Sequence, residues 1–405
     1  MNQDLARRIR DAAQHRRDHM VAVRREIHAH PELAFQEVRT SRLLADELER
    51  LGLPARAGVG GTGAIGLVAG RGPGRTVALR ADIDALPLED RKDVPYASQV
   101  PGVGHLCGHD AHAAMALGAA AVLSELRQEF AGNVKVIFEP AEEMAAANGI
   151  PGSRLMVDDG ALENPKVDAV FALHVFPEWP TGVVALRAGS IMAGHGKFKL
   201  AIIGQEAHPT TPHLGVDAAL VAAQVIQGLY TLAGRVADPG DGLTLNVGLV
   251  QGGKAYNLVP GRVELAGSVR TGNEARRPSL GEDVERVVKG ICAAHGATYE
   301  LEYNPQTFPA TCNDPALTAV FGHAATDLLG AEKVVWLDRP RLTGETFYVY
   351  AEYAPTVFAF LGTANPAKGT TYSSHHSRFD IDEDALPVGA AVLAAAAIDF
   401  LSAST

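Results

Sequence analysis

The segment AAMALGAAAVLSEL at residues 113–126 is followed by NVKVIFE at residues 133–139. The first has the length and the alanine–leucine composition of a buried helix, and the second is a short apolar run typical of a buried strand. Two further apolar runs, at residues 75–81 and 167–174, are predicted to be strands of the same kind. Strands that alternate with helices predict an α/β fold, in which helices cover a mainly parallel sheet.

The same alternation extends towards both ends of the chain. Apolar residues at helical spacing predict one amphipathic helix over residues 5–27 and another over residues 41–51, followed by a strand at residues 63–70. In the last hundred residues we predict a helix at 316–329, a strand at 356–361 and a closing helix at 385–401.

The middle of the chain has a different order of elements. It predicts strands at residues 198–204, 243–250, 262–270 and 298–303, with helices at 216–230 and 281–294. This βαββαβ order is typical of a small α+β domain. We therefore predict a discontinuous catalytic domain, residues 1–186 and 304–405, interrupted by an inserted domain of residues 187–303.

Composition narrows the class of protein. The chain has 405 residues and a formal net charge of −11, which disfavours a nucleic-acid partner because phosphate binding needs a basic surface. Three cysteines do not make a disulfide framework. The charged N-terminus does not resemble a signal peptide, and the sequence predicts no transmembrane segment. A cytoplasmic location without membrane attachment is the expectation.

The densest group of metal-binding residue types is HLCGHDAH at residues 105–112. It offers His105, Cys107, His109 and His112 as donors, together with the carboxylate of Asp110. Thiolate and imidazole are ligands that suit zinc and similar borderline cations. The alternative is a surface loop of ordinary histidines, in which the cysteine is a small buried side chain.

Adjacent carboxylates form a second candidate site in FEPAEE at residues 138–143. They follow a predicted strand of the parallel sheet, where α/β proteins place their sites. Of two neighbouring glutamates, one can bind a cation while the other transfers a proton. A solvated acidic loop is the alternative reading.

Further candidates are weaker when taken singly. His174 ends a predicted strand, SSHHSRF occupies residues 373–379, and Asp82 and Asp84 follow the strand at 75–81. A buried core histidine or a loop carboxylate would explain each of them. Together, however, they supply donors at separated points, as a pair of divalent ions requires.

The inserted domain also contains polar candidates. His208, Asn257 and Arg270 could hold a substrate carboxylate or polarise a carbonyl group. Each could equally be an ordinary surface residue.

The chain resembles the family of dinuclear metallo-amidohydrolases that includes aminoacylases, hippurate hydrolases and indole-acetyl-amino-acid hydrolases, relatives of carboxypeptidase G. The resemblance runs nearly from end to end. Its motifs are REIHAHPEL at 25–33 with Glu37, residues 80–87, 107–112 and 139–143, His174, residues 207–217 and 257–260, Arg270 and residues 375–379.

The resemblance implies a role for each matching residue. The implied metal ligands are Cys107, His109, Glu143, His174 and His375. Cys107 would bridge two ions, and Glu142 would be the general base. His208 would reach an active site, which in relatives is often the active site of a partner subunit. Asn257 and Arg270 would contact the substrate carbonyl or carboxylate. Carboxylates that could support the ligands are Asp82, Asp84 and Asp110.

The sequence departs from the family pattern at three places near the expected pocket. The segment MAAANGIP at 144–151 replaces a glycine-rich stretch, Thr346 stands in the usual Glu-Asp-Phe, and Ser377 replaces a proline. These departures leave the ligand set intact and bear on the substrate.

We therefore predict a metal-dependent hydrolase that cleaves the amide bond of a small N-acyl amino acid or a related amide. A hydroxide bridging two divalent ions would attack, with Glu142 as the base. Manganese or zinc is expected first, and cobalt or nickel is compatible. The inserted domain would serve as a lid or a dimerisation domain in a homodimer or larger homo-oligomer. The alternatives are an aminohydrolase of aryl amines and a catalytically silent binding protein.

Overall fold

The computed structural model describes residues 1–146, 149–238 and 240–403, without the side chains of residues 305–307. Its chain divides into two compact units. The first contains Met1–Gly189, Cys312–Leu337 and Val349–Thr405, and the second contains Ser190–Thr311 and Asp338–Tyr348. The predicted boundaries, at 186/187 and 303/304, precede the first two junctions by three and eight residues, and Asp338–Tyr348 was not predicted to join the inserted domain.

Apart from α5, which was not predicted, and the division of the first predicted helix into α1 and α2, the helices lie close to their predicted positions. They are α1 (Gln3–His15), α2 (Arg17–Ala29), α3 (Val38–Arg50), α4 (His109–Glu125), α5 (Gly152–Asp158), α6 (Ala218–Ala233), α7 (Leu280–His295), α8 (Pro315–Leu329) and α9 (Ala385–Ser402).

The strands include several short ones that the sequence did not predict. They are β1 (Ala55–Val59), β2 (Gly63–Ala69), β3 (Thr76–Asp82), β4 (Asn133–Glu139), β5 (Ala169–Pro180), β6 (Val184–Leu186), β7 (Gly189–Met192), β8 (Gly194–Ile203), β9 (Leu243–Gly252), β10 (Arg262–Thr271), β11 (Thr298–Phe308), β12 (Thr311–Asn313), β13 (Val334–Trp336) and β14 (Thr356–Ala364).

The first unit is built on a sheet with the strand order β1-β2-β4-β3-β5-β14-β6-β13. Its centre is parallel, because β3 pairs in parallel with β4 and β5, and β5 pairs in parallel with β14. Antiparallel pairs join β1 to β2 and β2 to β4 at one edge. The α/β class is confirmed.

One large apolar core lies between this sheet and the helices α1, α2, α3, α4, α8 and α9. Helix α9 is long and apolar enough to cross a membrane, judged by length and composition alone, but 78% of it is buried inside the protein. It packs against α4 and α8, so we assign it to the core.

The first predicted helix, residues 5–27, was wrong in being continuous. The chain breaks it at Arg16, whose N–H donates to the carbonyls of Ala13 and Gln14 as α1 ends. Two separate helices can each turn an apolar face towards the core, with Ile9 in α1 and Met20 in α2 both buried. Apolar spacing alone could not locate that break.

The second unit has the predicted βαββαβ order, with β8, α6, β9, β10, α7 and β11 in sequence. Its antiparallel sheet has the order β11-β8-β10-β9, and α6 and α7 share a core with it. The segment Asp338–Tyr348 joins this unit through backbone bonds between Arg341 and both Ile191 and Ala193. Such pairing between distant residues leaves no periodic signal in the sequence.

Candidate metal centre

The carboxyl ends of the central parallel strands bring the predicted donors together. Asp82 ends β3 in register with Glu139 at the end of β4, and Glu142 and Glu143 follow after Pro140 and Ala141. His174 lies in β5, two residues beyond Ala172, the last residue that pairs with β3. This edge of an open α/β sheet is where such folds bind ligands.

The loop before α4 places two donors on either side of one glycine. Gly108 has φ of 95°, a left-handed conformation that glycine adopts without steric cost. A Cβ atom there would lie only 2.2 Å from Cγ2 of Val175. Cys107 and His109 therefore flank a tight turn packed against β5, and His109 begins α4.

Two groups of three donors share one sulfur atom. Ligand atoms of Cys107, His109 and His174 lie within 4.8 Å of one another, and so do those of Cys107, Glu143 and His375. The Sγ atom of Cys107 is 3.5 Å from Nε2 of His174. Oε1 of Glu143 is 3.1 Å from Nε2 of His375. The five residues implied by the resemblance are thus adjacent, with Cys107 common to both groups.

The histidines of the first group are oriented by their Nδ1 atoms. Nδ1 of His174 donates to the carbonyl oxygen of Val175 at 2.8 Å, and Nδ1 of His109 lies 3.1 Å from the carboxylate of Asp84. Each bond leaves Nε2 as the atom available to a metal. Nε2 of His109 is buried and has no hydrogen-bond partner among the residues that the structure describes. These residues therefore fit a divalent cation.

Burial sets the protonation of two of the donors, Cys107 and His174, in the absence of a cation. It raises the pKa of the Cys107 thiol, and the nearby Glu143 carboxylate adds to this effect. Burial lowers the pKa of His174, which keeps its imidazole in the neutral, metal-binding form. A buried thiol between carboxylates ionises when a cation compensates its charge, as metal binding does.

Two histidines of the same motif, His105 and His112, belong to neither of the donor groups that share Cys107. Nδ1 of His112 lies 2.5 Å from Oδ1 of Asp82, and its Nε2 accepts from the N–H of Val175 at 2.9 Å. Both nitrogens of His112 are therefore used within the protein. His105 is buried, and burial lowers its pKa to about 3.

His375 and His376 are neighbours with different surroundings. His375 has φ of 67°, and its N–H donates to the carbonyl oxygen of Leu106. This backbone turn directs it towards Glu143. His376 instead stacks on Tyr372, with ring centroids 4.5 Å apart, and its Nδ1 accepts from the N–H of Arg378.

A buried charge network beneath the donors was missed by sequence reasoning. Arg80 donates to Asp82 at 2.6 Å and to Glu139 at 2.7 Å, and Tyr350 donates to Glu139 at 2.9 Å. Burial opposes ionisation of Asp82, but His109 and Arg80 hold its pKa well below the usual range. An arginine within the apolar run TVALRAD was the available signal.

Asp110 occupies a different place from the one expected of a carboxylate that supports the ligands. Its Oδ2 accepts from Nε of Arg24 at 2.9 Å and lies 2.7 Å from Nδ1 of His28. Arg24 also binds Asp380 and Glu383. Asp110 therefore joins α4 to α2 and, through Arg24, to the segment that follows His375; none of its hydrogen bonds to the described residues goes to a ligand side chain.

The remaining candidates lie in the second unit. His208 is exposed, and its Nδ1 is 2.7 Å from the hydroxyl of Thr210. Asn257 is exposed, whereas Arg270 is partly buried and donates to the carbonyl oxygen of Leu342 at 2.9 Å. Their predicted roles towards a substrate stay predictions.

Of the three departures from the family pattern, Ser377 and the described residues of the segment 144–151 lie in the first unit, and Thr346 lies in the second. Ala147 and Asn148, within the segment 144–151, lie outside the described residues, and Met144 before them is exposed. Thr346 is buried in the second unit. The carbonyl oxygen of Ser377 accepts from the N–H of Arg91.

Replacing Asp84 with asparagine is expected to weaken metal binding by about 10- to 100-fold. One Asp84 oxygen faces Nδ1 of His109, and the other accepts from the N–H of Glu143 at 3.0 Å. An amide retains one acceptor only, so one of these bonds is lost. Competition with a chromogenic chelator measures the affinity. The exposed Asp46→Asn variant is the control, and unchanged affinity in Asp84→Asn would contradict the orienting role.

The fold and the donor set together define a metal-dependent amidohydrolase. Residues 78–399 match peptidase family M20/M25/M40, and the chain belongs to this family.

Relatives match nearly the whole chain. Thermostable carboxypeptidase 2 of Saccharolobus solfataricus is 36% identical over 398 residues, which cover 98% of this chain and 99% of the relative. N-acetylcysteine deacetylase of Bacillus subtilis is 35% identical over 393 residues, which cover 96% of this chain and 98% of the relative. A crystal structure of Bacillus subtilis YXEP, a dinuclear metal-binding peptidase of family M20, superposes with a TM-score of 0.82 at 32% identity. The superposition covers 96% of this chain and 99% of the YXEP chain.

Proposed function

We propose that the protein hydrolyses the amide bond of a small N-acyl amino acid. The observation that carries this proposal is the pair of three-donor groups sharing Cys107, with Glu142 beside one of their ligands. A carboxypeptidase and an N-acetylcysteine deacetylase are among the relatives. Both kinds of enzyme cleave an amide whose nitrogen belongs to an amino acid, which supports this substrate class.

The five donors would hold two divalent ions, for which we propose manganese or zinc. Cys107, His109 and His174 would hold one ion, and Cys107, Glu143 and His375 the other. When bound, such ions supply positive charge that lowers the pKa of water and polarises the substrate carbonyl.

Glu142 is the proposed general base. Its carboxylate oxygen lies within 4.8 Å of the ligand atoms of His109 and Glu143, and the residue is only partly buried. Water can therefore reach it, in contrast to the fully buried Glu139. Glu142 would take a proton from the attacking water and return it to the leaving amine.

The second unit would contribute to substrate binding. We propose that His208 stabilises the developing oxyanion and that Asn257 and Arg270 bind the carbonyl and the carboxylate. A guanidinium binds a carboxylate through two parallel hydrogen bonds, which favours an amino-acid product with a free carboxylate.

Mass spectrometry on a panel of N-acetyl, N-benzoyl and N-indole-acetyl amino acids tests the proposal. The panel is incubated with manganese-loaded protein, and each compound is paired with its carboxamide, which lacks the free carboxylate. We expect cleavage of a subset of the acids and poor cleavage of their carboxamides. No cleavage of any acid would overturn it, and so would the release of ammonia, without a new carboxylic acid, from an aryl amine incubated in parallel.

A further inference from the structure

The turn that follows β4 contains an alanine in an unfavourable backbone conformation. Ala141 has φ of 53° and is fully buried. Residues other than glycine avoid this left-handed region, because Cβ comes too close to the following carbonyl oxygen. The next two residues are Glu142 and Glu143, so the conformation of Ala141 fixes the direction in which both carboxylates leave the strand.

A single side chain holds this turn at its start. The N–H of Ala141 donates to Oε1 of Glu37 at 2.8 Å, with donor and acceptor both buried. A buried N–H that loses its acceptor is costly, so this bond opposes any rotation of the Ala141 peptide. At the other end of the turn, the N–H of Glu143 donates to Asp84.

Glu37 is itself fixed by contacts outside the turn. It immediately precedes α3, and its Oε2 accepts from the hydroxyl of Thr62. Helix α3 is tied to the start of β2, because Oγ of Ser41 donates to the carbonyl oxygen of Gly63 at 2.8 Å. The acceptor therefore has a position that does not depend on the turn.

We propose that Glu37 is a positioning residue, which holds the left-handed turn at Ala141 and thereby orients the Glu142 base and the Glu143 ligand. The inference rests on the proposed function through the roles of Glu142 and Glu143. The side chain of Glu37 accepts hydrogen bonds from the backbone N–H of Ala141 and from Thr62, so we propose that it acts on the two glutamates through the backbone.

What the turn requires from Glu37 is an acceptor atom and not a negative charge. Burial raises the pKa of Glu37 to about 7, and in either protonation state Oε1 can accept from Ala141. A glutamine keeps that acceptor and can donate to Thr62. A leucine keeps a similar volume but provides no acceptor.

Hydrogen exchange of the backbone tests the contact without using activity. In Glu37→Leu, the amide of Ala141 should exchange at least about tenfold faster than in the wild type, and in Glu37→Gln at the wild-type rate. Ser41→Ala, which removes a neighbouring bond but leaves the acceptor, is the control and should retain protection. Equal exchange in all four proteins would overturn the proposal, whether or not a substrate is known.

Turnover tests the consequence, on any substrate that the wild type cleaves. A misplacement of about 1 Å can reduce turnover by about 100-fold, so we expect kcat of Glu37→Leu to fall by about that factor while Glu37→Gln stays within about threefold. If Gln is as damaging as Leu, the charge matters rather than the acceptor, and the proposal is wrong.

Glycine at position 141 supplies a test of the backbone step. Because glycine adopts a positive φ freely, adding Ala141→Gly to Glu37→Leu should recover about fivefold in kcat. In the wild-type background the same change should have little effect. No recovery in the double variant would show that Glu37 does not act through this turn. A wild type that cleaves no N-acyl amino acid would instead contradict the proposed function, and the exchange result would stand.

Discussion

Replacing Glu142 with glutamine is expected to lower kcat by between about 10²- and 10⁴-fold while leaving the bound metal in place. Glutamine has nearly the same shape as glutamate but cannot take a proton from water. Neither group of donors that shares Cys107 includes Glu142, so metal content should not change. Steady-state kinetics measures the fall, and elemental analysis of the dialysed protein measures the metal.

The exposed Glu332→Gln variant is the matched control, and it should retain wild-type kcat. Because Glu142 follows the Ala141 turn, its substitution could also disturb Glu143 and release an ion. Metal content separates that outcome from the loss of a base. Turnover near the wild-type value in a fully loaded Glu142→Gln protein would exclude Glu142 as the base.

Removal of the shared sulfur is expected to have a larger effect on metal binding than removal of any other donor. Cys107→Ala takes one ligand from both groups, whereas His375→Ala takes one from a single group. We therefore expect Cys107→Ala to lose both ions and His375→Ala to lose one, with turnover abolished in the first. Elemental analysis after dialysis against metal-free buffer gives the number of ions per chain.

Cys292→Ala is the control for cysteine removal. Cys292 is also buried, but it lies in α7 of the second unit. This variant should keep both ions. A Cys107→Ala protein that retains two ions after dialysis would contradict the bridging arrangement, and equal losses in Cys107→Ala and His375→Ala would show that the two sites bind as one cooperative pair.

The architecture was largely predictable because its elements are local patterns. The apolar run at residues 133–139 coincides with β4, and the closing apolar segment coincides with α9 to within a residue. The order of elements in the second unit follows from the same patterns. The break at Arg16 and the short strands β6 and β13 were not predictable, since long-range packing decides them.

The donors were only partly predictable from spacing. The stretch HLCGHDAH offers His105, His109 and His112 on equal terms, and only the resemblance selected His109. The structure supplies the physical reason. Asp84 orients His109 and leaves its Nε2 available, whereas Asp82 and the backbone of Val175 use both nitrogens of His112.

The sequence by itself determined the α/β class, the inserted βαββαβ unit and the concentration of Cys, His and Glu near the predicted strand ends. Hydrophobic periodicity and composition are local properties, so they can be read without knowing the partners of a residue. The bridging role of Cys107 was implied by the family resemblance alone, and the tertiary structure shows that its sulfur is common to both donor groups and that Glu37 meets the backbone of Ala141. Both depend on hydrogen-bond and ligand distances between residues far apart in the chain, which no local pattern encodes.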